Sequence, residues 1–269
     1  MELRITHQVS RPVSRFAPAI VLLALCLVAA VVPQAWLKPL DLVGYAVCHR
    51  IAARSFVIGG TQLPVCARDT GMFGMALLGL ALLAAVLPVR ATQPPRKAIA
   101  LVFVAFFLAW GFDGLNSYVQ LLRGTPLFYL PQNWLRLVTG AGMGMALTVY
   151  VVPLFNQAVW QTPEPAPVVY TWRGVAQLVG LAVVYIGLVL WQPSFLYGPI
   201  ALLSTLGVLV LLMIVNGLLF ALAIKRAGNM TRWRELLLPA LVGLALTLLE
   251  IGVIDWLRFT FVRGFELGV

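Results

Sequence analysis

Seven long apolar segments constrain this 269-residue chain more than any other feature. Each is long enough to cross the roughly 30 Å hydrocarbon core of a bilayer as a helix, which takes about 20 residues. The segments lie near residues 16–36, 70–89, 98–121, 135–156, 174–192, 199–224 and 236–257. Strand-like alternation is absent, so we expect the backbone to satisfy its hydrogen bonds within helices. The sequence therefore predicts an all-α, polytopic membrane helix bundle with seven transmembrane helices.

Composition agrees with a membrane protein. The chain is 61% hydrophobic and 10% charged, whereas soluble domains are about 25% charged. Its net charge of +10 needs no nucleic acid, because arginines in cytoplasmic loops set topology and meet anionic lipid. We therefore expect membrane lipids as partners, other subunits of a membrane complex as a second class of partner, and no nucleic acid.

Basic residues predict the orientation. They concentrate at 90–97 and 225–234, and Arg4, Arg11 and Arg15 precede the first segment. Such clusters mark the cytoplasmic side, so we expect a cytoplasmic N-terminus and an extracytoplasmic C-terminus in a bacterial plasma membrane. The first segment is expected to be retained as an anchor rather than cleaved as a signal peptide. We treat residues 1–269 as one integral membrane domain, with an extracytoplasmic cysteine loop at 37–69 and an additional three-helix segment at 174–257.

Ionisable residues within membrane helices are functional candidates, because they are costly without a partner or a water-filled cavity. Four of them fall in the extracytoplasmic half of the predicted bundle: Asp69, Asp113, Glu250 and Asp255. The cytoplasmic halves carry no comparable charge. This asymmetry predicts a polar site near the extracytoplasmic face.

The third and fourth segments supply the centre of that site. Asp113, Asn116 and Ser117 occupy positions i, i+3 and i+4, which share one helix face, and this face is expected to look into the bundle. Asn133 and Arg136 enter from the same side at the start of the next segment. We predict a buried Asp113–Arg136 ion pair.

Two further patterns concern helix contacts. Gly140 and Gly144 form a small-xxx-small pattern, which predicts close approach of another helix. Asp255 and Arg258, three residues apart in the last segment, predict an interfacial ion pair.

The loop before the second segment reads CHRIAARSFVIGGTQLPVCARDTG from residue 48 to 71 and holds two of the three cysteines. Three interpretations stay open: a disulfide, as expected in an oxidising compartment, a zinc-type metal site with ligands from Cys48, His49, Cys66 and Asp69, and a pair of free or redox-active thiols. A divalent metal such as zinc is the cofactor that the second interpretation implies. Gly59-Gly60 is a turn signal, so we expect Cys48 and Cys66 to lie close together.

Arginines complete the candidate site. Arg50, Arg54 and Arg68 in the loop, together with Arg136, could form a basic pocket for an anionic headgroup or phosphate, which arginine binds through its planar donor fork. The candidate polar site predicted from the sequence consists of Asp69, Asp113, Asn116, Asn133, Arg136, Arg54 and Arg68.

The motifs CHR, RSF, QLPVCARDTG, DGLNS and NWLRLVTG resemble a family of prokaryotic integral membrane proteins, domain of unknown function 2085. The resemblance covers about residues 44–146 and implies that the matching positions are Cys48, His49, Arg54, Ser55, Phe56, Cys66, Arg68, Gly71, Asp113, Gly114, Asn133, Arg136, Thr139 and Gly140. Asp69 departs from the pattern, since some relatives carry cysteine there. The resemblance implies no activity.

Three classes of function follow. The first is a membrane enzyme that acts on a lipid-linked or small substrate at the extracytoplasmic face. The second is a non-catalytic subunit or scaffold of a membrane complex, and the third is a transporter or ion pathway. The sequence shows no nucleophile–base constellation or phosphate-binding loop, so it does not specify a reaction. The uncharged inner halves favour a one-sided site over a through-path.

Overall fold

A computed structural model of the protein describes residues 12–86 and 90–262. Eight α-helices carry the fold: α1 Pro12–Val31, α2 Leu40–Val47, α3 Ala67–Val86, α4 Lys97–Arg123, α5 Asn133–Val159, α6 Trp172–Trp191, α7 Tyr197–Ala223 and α8 Leu237–Val262. Four short strands lie in the connections: β1 Val57–Ile58, β2 Thr61–Gln62, β3 Ala91–Gln93 and β4 Glu164–Pro167. The predicted all-α polytopic bundle is confirmed.

Six of the described helices, α3 to α8, are long and apolar enough to cross a membrane. The described apolar part of α1, Phe16–Val31, is shorter, so a seventh spanning helix stays a prediction. The first predicted segment ran to residue 36, but α1 ends at Val31 because Pro33 adopts an extended conformation, and a short 3-10 turn follows at Gln34–Leu37. Arg4, Arg11 and both chain termini, on which the predicted orientation depends, lie outside the described residues.

Helix α3 lies at the centre of the bundle and packs most closely against α5. Glycines close this interface: a β-carbon at Gly71 would lie 2.3 Å from the carbonyl oxygen of Leu137, and one at Gly140 would lie 2.1 Å from that of Arg68. Gly144 meets the backbone of Met72 in the same way. The close approach predicted from Gly140 and Gly144 is therefore confirmed, and it fixes the starts of α3 and α5 side by side.

One end of the bundle carries the cysteine loop, and we refer to it as the cysteine end. It gathers the N-terminal ends of α3 and α5 and the C-terminal ends of α4 and α8. In the loop, β1 and β2 pair antiparallel, Val57 with Gln62 and Ile58 with Thr61. Gly59 (φ 58°) and Gly60 (φ 79°) form the turn between them, in the left-handed region that glycine adopts without strain. The predicted turn is confirmed.

The opposite end of the bundle is closed by the connections at residues 90–97, 160–171 and 224–236. There β3 and β4 pair in parallel. Arg90 donates hydrogen bonds to Thr162 and to the carbonyl of Thr231, which ties the three connections together. The two ends therefore differ in chemistry, because the cysteine end alone combines thiols with buried charge.

Candidate functional site

Cys48 follows α2 and is buried, with 6% of its surface exposed. Its Sγ accepts hydrogen bonds from two backbone N–H groups, those of Arg50 (3.4 Å) and Cys66 (3.2 Å). Arg50 itself has a left-handed backbone (φ 52°). A hydrogen bond from the Cys66 thiol, assisted by these N–H groups, lowers the pKa of the Cys48 thiol. The loop is therefore built to accept a thiolate at Cys48.

Cys66 and Asp69 sit at the start of α3. The Cys66 carbonyl accepts the N–H of Thr70, so Cys66 is the residue that caps this helix, and its Sγ donates to Oδ2 of Asp69 at 3.1 Å. The neighbouring Cys48 side chain, together with burial, raises the pKa of the Cys66 thiol. The positive end of the α3 dipole faces all of these groups and favours negative charge there.

The three candidate ligands converge. One ligand atom from each of Cys48, Cys66 and Asp69 lies within 4.8 Å of the others. The expected proximity of the two cysteines is therefore confirmed. Both cysteines are free thiols in the structure, and the disulfide, metal and thiol-pair interpretations all stay predictions. Two sulfurs and one carboxylate oxygen form a donor set that suits zinc.

His49 does not join this group. Its side chain is exposed, and the only convergent set of ligand-type residues found among those described is Cys48, Cys66 and Asp69. The adjacent Cys48 points inward, and neighbouring side chains in an extended segment point to opposite sides. Of the two residues that could complete the set with Cys66 and Asp69, Cys48 therefore lies in the convergent group and His49 lies outside it.

The buried carboxylate of Asp113 pairs with Arg68 rather than with Arg136. Nε of Arg68 donates to Asp113 Oδ2 at 3.1 Å, and Nη2 donates to the same oxygen and to the Asp113 carbonyl. Asp113 is 1% exposed. The predicted Asp113–Arg136 ion pair was wrong, because Arg68 at the start of α3 reaches across to α4 and occupies the carboxylate.

Tyr129 is a site residue that the sequence did not reveal. Its hydroxyl donates to Oδ1 of Asp113 at 2.7 Å. Burial, together with this hydrogen bond, raises the pKa of Tyr129 to about 12. Tyr129 lies in the connection between α4 and α5, where helical periodicity offers no signal.

The predicted shared face of Asp113, Asn116 and Ser117 is confirmed, since all three are buried. Asn116 has a structural role on it. Its amide oxygen accepts the N–H groups of Leu127 and Phe128, and its Nδ2 donates to the carbonyl of Tyr129. Asn116 therefore holds the loop that carries Tyr129.

Arg54 and Arg136 lie beside the Arg68–Asp113 pair. Arg54 donates to the carbonyl of Ser117 at 3.2 Å, and Arg136 donates to Oδ1 of Asn133 at 2.8 Å. Burial, followed by the nearby charge of Arg68, lowers the pKa of Arg54. The three arginines of the candidate site are thus brought together at the cysteine end.

The charges of α8 lie apart from this group. Arg258 donates to the backbone carbonyls of Tyr45 and Cys48, the latter at 2.9 Å, and forms no ion pair with Asp255 among the described residues. The predicted Asp255–Arg258 pair was therefore wrong. Arg258 instead anchors the backbone at Cys48 to α8. Glu250 accepts a hydrogen bond from Asn216 of α7 at 2.9 Å.

Comparison with known proteins agrees with the resemblance seen in the motifs. Residues 48–150 match the model of a family described as "Predicted membrane protein (DUF2085)". An uncharacterized protein of Methanocaldococcus jannaschii is 27% identical over 118 residues, which cover 43% of this chain and 67% of the relative. No solved structure matches the chain. The chain is thus similar to a family of predicted membrane proteins over residues 48–150, which include both loop cysteines, α3, α4 and most of α5.

Proposed function

We propose that this protein is a multi-pass membrane enzyme that uses a zinc-type metal ion at the extracytoplasmic face to act on a lipid-linked or small substrate. The observation that carries the proposal is the convergence of Cys48, Cys66 and Asp69 within 4.8 Å. Catalytic zinc sites typically have three protein ligands and a fourth position open to water or substrate. A three-ligand set agrees with that pattern better than with a closed structural site.

The surroundings of the ligands support a metal. The two N–H groups on Cys48 Sγ stabilise the thiolate that a metal requires. In the free protein, the Cys66 thiol proton is held by Asp69, and metal binding would release it. When bound, zinc would polarise a substrate oxygen or lower the pKa of a bound water to about 7.

The orientation of the proposed site follows from the basic residues. The connections at 90–97 and 225–234 lie at the end of the bundle opposite the cysteines, and they carry Arg90, Arg96, Lys97, Lys225, Arg226, Arg232 and Arg234. The positive-inside rule places this end in the cytoplasm. The cysteine end then faces the other side of a plasma membrane.

Metal analysis of the purified protein tests the proposal. We expect about one zinc per chain in protein prepared in zinc-containing medium without a histidine tag, a ratio that follows from one three-ligand site. Cys48→Ser and Asp69→Ala should lower the retained zinc at least about tenfold, as loss of one ligand weakens a site. Cys26→Ser in α1 is the matched control and should retain the ion. Wild-type protein without zinc, or equal loss in the control, would contradict the proposal.

A second candidate function, a subunit of a larger membrane complex, is supported by Glu250. This residue lies midway along α8, and its side chain is exposed on the outside of the bundle. A carboxylate in contact with lipid is costly, so another helix is a suitable cover. Site-specific crosslinking from residue 250 in native membranes would test this candidate, and crosslinks to lipid alone would contradict it.

A further inference from the structure

We infer that Arg54, Arg68 and Arg136 form a binding site for a phosphate group, carried by an anionic lipid headgroup or by a soluble phosphate. The inference deepens the proposed function, on which it rests where it names the substrate class of the enzyme. Binding of the anion itself requires no metal, because none of the three arginines is a candidate ligand. The two proposals can therefore fail separately.

Arg54 and Arg68 meet at Ser117 of α4. Nη2 of Arg54 donates to the Ser117 carbonyl at 3.2 Å, and Nη2 of Arg68 donates to the Ser117 hydroxyl at 3.0 Å. Two guanidinium groups from different parts of the chain, the cysteine loop and the start of α3, are thereby fixed on one residue. Their relative position is set by hydrogen bonds rather than by the flexible stems of the side chains.

Arg136 is brought to the same place by Asn133. Its Nη1 donates to Asn133 Oδ1, and Nδ2 of Asn133 donates to the carbonyls of Ala53 (3.2 Å) and Ser55 (3.3 Å), the two neighbours of Arg54. The three guanidinium groups are close enough to repel one another. Repulsion of this kind is costly, so the arrangement favours an anion among them.

Two of the three arginines have no ion-pair partner within the described parts of the chain. Arg68 forms an ion pair with Asp113, whereas neither Arg54 nor Arg136 forms an ion pair with a described residue. Nη1 of Arg68, Nη1 of Arg54 and Nη2 of Arg136 make no hydrogen bond within residues 12–86 and 90–262. No nitrogen of these arginines is among the buried unpaired atoms of that region, so the spare donors reach accessible space.

Phosphate fits these donors better than a single carboxylate does. Arginine binds phosphate oxygens through parallel N–H groups, and the two non-bridging oxygens of a phosphodiester, or the three of a monoester, could accept from different guanidinium groups. The N-terminal ends of α3 and α5 also point toward this end of the bundle and favour negative charge. Arg68 and Arg136 lie in the first turns of α3 and α5, and the ends of spanning helices are expected at the level of the lipid headgroups.

The test measures binding of two probes to the full-length protein in nanodiscs. The first probe is inorganic phosphate with zwitterionic phosphatidylcholine as the lipid. The second is phosphatidylglycerol titrated into phosphatidylcholine nanodiscs without phosphate. We expect saturable binding of at least one probe, weakened about tenfold or more in Arg54→Gln, since a charge-assisted hydrogen bond is worth about one such factor. Arg136→Gln should behave likewise.

Two further variants sharpen the result. Arg123→Gln removes an equal charge from the exposed last turn of α4 at the same end and should leave binding unchanged. Arg54→Lys keeps the charge but loses the planar guanidinium with its parallel N–H donors, and this variant should bind the phosphate probe more weakly than wild type. Arg136 is buried, so its variant could fail to fold, whereas Arg54 is only half-buried and keeps the test decisive.

The outcomes separate the sources and the proposals. Binding of phosphate identifies a soluble phosphate compound, and response to phosphatidylglycerol alone identifies a lipid headgroup. Absence of saturable binding to both probes, or equal weakening in Arg123→Gln, overturns the inference. The same titration in Cys48→Ser should still show binding, so loss of metal and loss of anion binding are distinguishable.

Discussion

Arg68 and Asp113 form a buried ion pair that joins the start of α3 to α4, with Nε and Nη2 of the arginine on one carboxylate oxygen. Removing one partner leaves an uncompensated charge inside the bundle, so Arg68→Gln or Asp113→Asn should each cost about 3–5 kcal/mol in the free energy of unfolding. The double variant should cost less than the sum. Thermal unfolding in detergent measures the stability of the three variants and so gives the interaction energy between the two residues. A second double-mutant cycle, with Arg136→Gln and Asp113→Asn, is the control and should give a smaller interaction energy. Equal coupling in both cycles would contradict the assignment.

The glycine interface between α3 and α5 gives a second prediction. Gly140→Ala places a methyl group 2.1 Å from the Arg68 carbonyl, so the helices must separate, at a cost of about 1–3 kcal/mol or more. Gly111→Ala is the matched control in α4, because its new methyl group meets nothing within 4 Å. Thermal stability in one detergent should fall for the first variant and stay near wild type for the second. Similar losses in both variants would argue against close packing at Gly140.

Tyr129 predicts a dependence of stability on alkaline pH. Its pKa is raised from 10.0 to about 12, so the folded state holds the phenol proton more tightly than the unfolded state. The stability that this provides is present below pH 10 and is lost between pH 10 and 12. Relative to Tyr129→Phe, the wild-type Tm should fall over that interval. Tyr118→Phe, on the exposed side of α4, should follow wild type. Parallel curves for wild type and Tyr129→Phe would contradict the prediction.

Thiol labelling separates the three interpretations of the cysteine loop. In a Cys26→Ser background, we expect Cys48 and Cys66 to resist maleimide in the purified protein, because a bound metal protects both thiolates. A chelator alone should expose both thiols. If reductant is required instead, the pair is a disulfide. Free labelling of the untreated, metal-free protein would show a plain thiol pair.

Reporter fusions test the orientation. The basic residues in the connections at 90–97 and 225–234 predict a cytoplasmic location for these segments by the positive-inside rule, so a reporter inserted in either should be cytoplasmic. One fused after residue 269 should be extracytoplasmic. A cytoplasmic C-terminal reporter would reverse the predicted side of the cysteine end without changing its chemistry.

The sequence predicted the spanning helices and the buried face of Asp113 well, because both depend on local periodicity. The Gly59-Gly60 turn was also local, and it led to the correct proximity of Cys48 and Cys66. The ion-pair partner of Asp113 was not predictable from the sequence. Arg68 lies 45 residues from Asp113, and only the packing of α3 against α5 decides which arginine reaches the carboxylate.

Two other site features depended on loop geometry that periodicity does not encode. Tyr129 reaches Asp113 because Asn116 folds the loop after α4 back onto the helix. His49 is exposed whereas Cys48 is buried, because the backbone at Cys48 is extended and neighbouring side chains there point to opposite sides. Both outcomes follow from hydrogen bonds between distant residues or from the backbone conformation of a loop, which a single sequence rarely reveals.

Backbone contact between α3 and α5 has a mechanical consequence. Where Gly71, Gly140 and Gly144 meet the opposing chain, there is no side chain that could change rotamer and let one helix slide gradually along the other. The two helices are therefore expected to move as one rigid body. Cys66 and Asp69 lie at the start of α3, and Asn133 and Arg136 lie at the start of α5. The distance between these two pairs of side chains is therefore fixed. A molecule that contacts the starts of both helices must fit that fixed distance, because the protein cannot readily adjust it.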